Sequence, residues 1–105
     1  NMTDISDLEQ RLAAGGVSLV WLETPTNPTM KVLDIATIAK LAKTAGAITV
    51  VDNTFASPIF QSPFDLGADI VLHSTTKYIG GHSDMIGGAV MVNDSKIHEK
   101  IKYVQ

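Results

Sequence analysis

The period of hydrophobic and polar positions changes several times along the chain, and each change marks an element. Asp4 precedes Ile5, Leu8 and Leu12, a helical spacing that predicts an amphipathic helix capped by Asp4 and ended by Gly15-Gly16. "VSLVWLE", Val17 to Glu23, is a near-continuous apolar run of strand length, the pattern of a strand buried on both faces. In "TPTNPT", Pro25 and Pro28 forbid a helix, and one of the two bonds preceding them is expected to be cis. Asp34 opens a second helix whose buried stripe is Ile35, Ile38, Ala39, Ala42 and Ala45, with Gly46 as its stop. "AITVVD" predicts a second buried strand, "DIVLH" a third and "GGAVMV" a fourth. The long connection 53–69 has room for one short helix after Pro63. Asp94 or Ser95 caps a last helix carrying Ile97, Ile101 and Val104.

This alternation of strands and helices predicts an α/β fold, a mostly parallel sheet sandwiched by helices. The join from "DIVLH" to "GGAVMV" breaks the pattern. It is rich in glycine and lacks a helical period, so that pair is expected to be antiparallel, with Lys77 in the connecting loop. In open α/β sheets, ligands gather beyond the carboxyl ends of the strands. Those ends carry Glu23 with the Asn27 loop, then Asp52-Asn53-Thr54, then Ser74-Thr75-Thr76-Lys77. A carboxylate, an amide, hydroxyls and an amine at one edge suit a small anionic ligand. Each also has a plainer role: Asp52 as a cap, Asn27 as a turn former before Pro28, Lys77 as a solvated charge, Ser74 and Thr76 as turn hydroxyls.

Composition narrows the partners. The 105 residues can bury one core and have the apolar and charged fractions of a globular chain. A net charge of −3 with scattered cations argues against nucleic acid. No apolar run approaches the length of a membrane span, and the first ten residues carry no leader pattern. Without cysteine there is no disulfide and no thiolate nucleophile. His73, His82 and His98 lack the acidic companions of a metal site. Lys77 is followed by Tyr78, not by Ser or Thr, so a Walker loop is excluded. No dinucleotide fingerprint and no nucleophile elbow occurs.

Three segments, "ETPTNPTMKVLDI", "VVDNTFASPIFQSPFDLGAD" and "STTKYIGGHSD", resemble the trans-sulfuration family of pyridoxal-phosphate enzymes of cysteine and methionine metabolism, its cystathionine γ-lyase members above all. The resemblance runs from about Val17 to the end. It implies the large cofactor-binding domain of a fold-type I, aspartate-aminotransferase-like enzyme, with these 105 residues as the central part of that domain. It implies pyridoxal 5′-phosphate as cofactor, with Lys77 as the lysine that carries it and Asp52 as the partner of its pyridine nitrogen. Ser74 and Thr76 match hydroxyls that bind its phosphate, and Thr54 a hydroxyl of the cofactor pocket. Asn27 matches the amide near the cofactor's phenolic oxygen and the substrate carboxylate, and Glu23 a pocket carboxylate on the substrate side.

The implied reaction is cleavage of the C–S bond of L-cystathionine to cysteine, 2-oxobutyrate and ammonia, in a cytoplasmic homotetramer acting on sulfur amino acids. Cystathionine γ-synthase and methionine γ-lyase chemistry are alternatives within the family. A non-catalytic α/β module is the alternative outside it. The family's upstream segments and its C-terminal domain have no counterpart here, so the 105 residues alone are expected to be inactive.

Overall fold

The structure, a computed structural model, describes residues 2–105. Helix α1 (Ile5–Ala13) leads into strand β1 (Leu19–Glu23), helix α2 (Ile35–Thr44) and strand β2 (Ile48–Asp52). A short helix α3 (Ser57–Phe60) and a 3-10 turn (Pro63–Leu66) precede strand β3 (Ile70–Ser74). A π-type turn (Thr75–Ile79), strand β4 (Gly88–Val92) and helix α4 (Ser95–Val104) complete the chain. The helix starts follow the sequence. Asp4, Asp34 and Asp94 accept from the backbone N–H groups of Asp7, Thr37 and Ile97, each satisfying a donor that the first turn leaves unpaired.

The four strands lie in the order β1-β2-β3-β4. β1, β2 and β3 are parallel, with Glu23 opposite Asp52 and Asp52 opposite Leu72. β4 returns antiparallel to β3, Ser74 facing Gly88, as the missing crossover helix predicts. No helix among the described residues is long and apolar enough to cross a membrane.

The core lies on one face of this sheet. Leu8 and Leu12 of α1, and Ile35, Ile38 and Ala42 of α2, pack with Val20, Leu22, Val51, Val71 and Ala68. Fully buried side chains such as Leu22 and Ile38 each contribute about 1.5–3 kcal/mol by leaving water. On the opposite face Leu19, Trp21 and Val90 remain 46%, 53% and 52% exposed. The expected burial of β1 on both faces is therefore not met within this chain. The reason is topological: parallel crossovers are right-handed, and β1, β2 and β3 follow one another in one direction, so both crossovers fall on the same side.

Smaller differences also have local causes. α2 ends at Thr44, which leaves Ala45 exposed beyond the helix rather than in its buried stripe. Val104, at the end of α4, is 80% exposed. The connection 53–69 holds α3 in addition to the turn after Pro63, with Pro58 in the first turn of α3, where its missing N–H is harmless. Both Thr24-Pro25 and Asn27-Pro28 are cis, where one was expected.

Candidate active site

The carboxyl ends of β1, β2 and β3 build one edge. Where β1 ends, the Thr24–Leu33 segment folds on itself: Thr26 N donates to Lys31 O at 3.0 Å, and Lys31 N to Thr26 Oγ1 at 2.9 Å. The Asn27 backbone N–H donates to Glu23 Oε2 at 3.1 Å, so Glu23 anchors the turn that carries the Asn27 side chain.

β2 delivers Asp52, whose Oδ1 accepts from Thr54 N at 3.0 Å. The Thr54 hydroxyl in turn accepts from Ser74 N at 2.8 Å and ties the end of β2 to the end of β3. Asp52 and Thr54 face the edge. Asn53 between them points to the other side and is fully buried, as strand alternation requires, so it does not join the edge.

After Ser74 the chain enters the connection to β4, where the sequence placed Lys77. It winds through the π-type turn, whose helical course breaks at Lys77, where ψ is −117°. Gly87 holds this turn from outside: its carbonyl accepts from Thr75 N at 2.9 Å and from Thr76 N at 3.3 Å, and its N–H donates to Thr76 Oγ1 at 2.9 Å. A Cβ on Gly87 would stand 2.6 Å from Thr75 Oγ1, so only glycine allows the approach. The Thr76 hydroxyl donates to Gly87 O at 3.2 Å, a long bond for which a phosphate oxygen could compete.

Together these segments wall a hollow of about 1250 Å³. Glu23, Asn27, Asp52, Thr54, Ser74, Thr76 and Lys77 all line it, so every residue to which the resemblance gave a role reaches one space, while Asn53 and Thr75 of the same strand ends do not. Phe55, Tyr78, Gly81 and residues 83–86 line it as well and were not singled out. Phe55 had a signal, an aromatic directly beyond a polar strand end. Ser83 and Asp84 close the "STTKYIGGHSD" segment, but Met85 and Ile86 carry no period or motif that marks them as a wall, and the antiparallel return of β4 brings them over the edge.

The chemistry of this lining fits pyridoxal phosphate. An amine suits the aldehyde carbon, a carboxylate suits a ring nitrogen, and hydroxyls suit a phosphate. The hydrogen bond of Ser74 uses its backbone N–H and that of Asp52 uses Oδ1, which leaves a hydroxyl and a carboxylate oxygen for a ligand.

Behind the edge sits His73, 6% exposed, with Nε2 3.5 Å from Asn53 Nδ2. Burial lowers its pKa from the usual 6.5, and the negative charge of Asp52 offsets part of that shift. The unfolded chain therefore binds a proton at His73 before the folded one does. Stability from this residue is complete above the ordinary histidine value and is lost as the pH falls from there through the lowered value. The thermal midpoint is expected to drop as the pH is taken from about 7 to 5, with a slope from this one group of at most about 1.4 kcal/mol per pH unit. His73→Gln should flatten that slope in thermal denaturation, and an equal slope in the variant would refute the assignment.

Comparison with known proteins agrees with the lining. A family model described as Cys/Met metabolism PLP-dependent enzyme matches residues 1–105. The probable cystathionine γ-synthase of Herpetosiphon aurantiacus is 55% identical over 104 residues, covering 97% of this chain and 33% of that protein. The cystathionine γ-lyase of Dictyostelium discoideum is 56% identical over 87 residues, covering 83% of this chain and 22% of that protein. Among solved structures, apo CalE6, a methionine γ-lyase from Micromonospora echinospora, superposes with a TM-score of 0.94 at 46% identity, over 98% of this chain and 28% of its own. The chain spans about a third or less of the length of these relatives. With a match along its whole length, a superposable fold and a lining suited to the cofactor, the chain belongs to the pyridoxal-phosphate-dependent enzymes of cysteine and methionine metabolism.

Proposed function

We propose that the chain is the central part of the cofactor-binding domain of a carbon–sulfur lyase that cleaves L-cystathionine to cysteine, 2-oxobutyrate and ammonia. The observation that carries this reading is the convergence of Lys77, Asp52 and Ser74, from separate segments, on one hollow. Pyridoxal phosphate supplies an electron sink when bound. The residues of this chain do the rest. Lys77 would hold the cofactor covalently, and its amine, when free, would move protons at the substrate's Cα and Cβ. Asp52 keeps a proton on the pyridine nitrogen. Ser74 and Thr76 hold the phosphate, with Thr54 beside them, and Asn27 and Glu23 orient the substrate.

The apolar side chains left open on this face, Leu19 and Trp21 of β1 and Val90 of β4, support the domain reading, since further chain would cover them. A second reading, cystathionine γ-synthase, is favoured by names among the relatives: the Herpetosiphon aurantiacus protein carries it at 55% identity. Product analysis of the full-length enzyme decides between them. With cystathionine alone, 2-oxobutyrate and cysteine should appear together. Cystathionine made from cysteine and an activated homoserine ester, with no cleavage of cystathionine, would transfer the chain to the second reading.

A further inference from the structure

Glu23 and Asp52 are the last registered pair of β1 and β2. Beyond them the strands part: Thr24 enters the Asn27 loop, and Asn53 enters the turn that leads to α3. The gap between these two residues is bridged by a side chain from much later in the connection. Gln61 Nε2 donates to Thr24 O at 3.1 Å and to Asn53 Oδ1 at 2.8 Å. Asn53 Nδ2 donates to Ser57 O at 3.1 Å and to Gln61 O at 3.0 Å. Backbone carbonyls can only accept, so the orientation of both amides follows from their partners. All four amide hydrogens are thereby used. Asn53 is 0% exposed and Thr24 1%, so water cannot take over either role.

We propose that Gln61 is a positioning residue for substrate binding: its side-chain amide continues the β1–β2 ladder by one rung and holds the Asn27 loop against the end of β2. The loop depends on that rung. Its other hydrogen bonds, among them Lys31 N to Thr26 Oγ1, Leu33 N to Thr24 Oγ1 and Asn27 N to Glu23 Oε2, run within the segment or back to the end of β1, and none of them reaches β2. Asp52 does not depend on it, because the ladder to β1 and the Thr54 N–H hold Asp52 in place. Loss of the Gln61 donors therefore moves Asn27, which faces the substrate, and leaves Asp52 and Lys77 where they are. This inference rests on the proposed function for its substrate, though not for its geometry.

The test uses the full-length enzyme and two variants. Gln61→Met keeps length and volume but removes both donors. It should raise KM for cystathionine about tenfold, the effect of losing the one hydrogen bond that Asn27 offers the substrate, with kcat within about threefold and the visible band of the lysine-bound cofactor unchanged. Amide hydrogen exchange in the loop 26–33 should quicken while that of β2 and β3 stays as in the parent.

Gln61→Glu keeps the shape and turns the donors into acceptors aimed at two oxygens. Its KM relative to the parent should be high at pH 8 and fall toward the parent's at pH 6, where a half-buried carboxyl aimed at two oxygens takes up a proton and regains one donor. If Gln61→Met is too unstable to purify, this pH-dependent rescue alone decides. An unchanged KM with only a lower thermal midpoint, unchanged loop exchange, or a collapse of kcat at constant KM would each overturn the inference. A parent enzyme without the cofactor band would instead overturn the proposed function, and loop exchange would still test the bridge.

Discussion

Replacing Lys77 with alanine should abolish turnover of the full-length enzyme, a loss on the order of 10³-fold or more, because both the covalent hold on the cofactor and the mobile proton carrier go at once. The fold should survive. Lys77 is exposed and sits at the point where the π-type turn breaks its helical course, so no buried contact is removed and the stability change should stay within about 0.5 kcal/mol. The check is borohydride reduction followed by peptide mapping. The parent should yield a modified peptide at Lys77 and the variant none. A modified peptide at another lysine, or turnover near that of the parent, would end the assignment.

The second large effect is expected at Asp52. Asp52→Asn is a gentle change in shape, since the amide oxygen can still accept from Thr54 N as Oδ1 does now. It is a severe change in charge. A neutral amide does not hold a proton on the pyridine nitrogen, and turnover should fall on the order of 10²-fold or more, the scale of losing one preorganised electrostatic partner. Cofactor should remain bound, because Lys77 and the hydroxyls of Ser74 and Thr76 are untouched. Steady-state turnover together with cofactor absorbance separates the outcomes. Full turnover with cofactor bound would show that Asp52 serves only the turn at the end of β2.

These two residues also show how far local sequence reaches. Lys77 taken alone has the look of a solvated surface charge, and Asp52 that of a strand-end cap. Their significance came from order: three polar segments, each at the carboxyl end of an apolar run, must meet at one edge if the runs pair in parallel. That inference needs only strand period and direction, and the strands do pair in that sense. Elements with strong local signals were equally legible. The aspartate caps of α1, α2 and α4 lie where the apolar spacing starts, because a cap is satisfied within three residues of itself. The antiparallel return of β4 followed from the absence of any helical period between "DIVLH" and "GGAVMV".

What the sequence by itself determined was therefore period, caps, strand direction and the polar residues at each strand end, all set by interactions among near neighbours. What only the tertiary structure decided involves partners far apart in the chain. An apolar run states that its side chains prefer to leave water but not which face a helix will cover, and the common hand of both crossovers put the core on one side and left Trp21 on the other. "DNT" reads as three candidate site residues, yet alternation turns Asn53 away from Asp52 and Thr54 and into the interior. The bond from Gln61 to Thr24 spans 37 positions, and Gly87 grips the lysine turn from the far end of a loop. Nothing near Gln61 or Gly87 in the chain announces those partners, because a hydrogen bond between distant segments is specified by where the folded backbone brings them and not by the residues on either side.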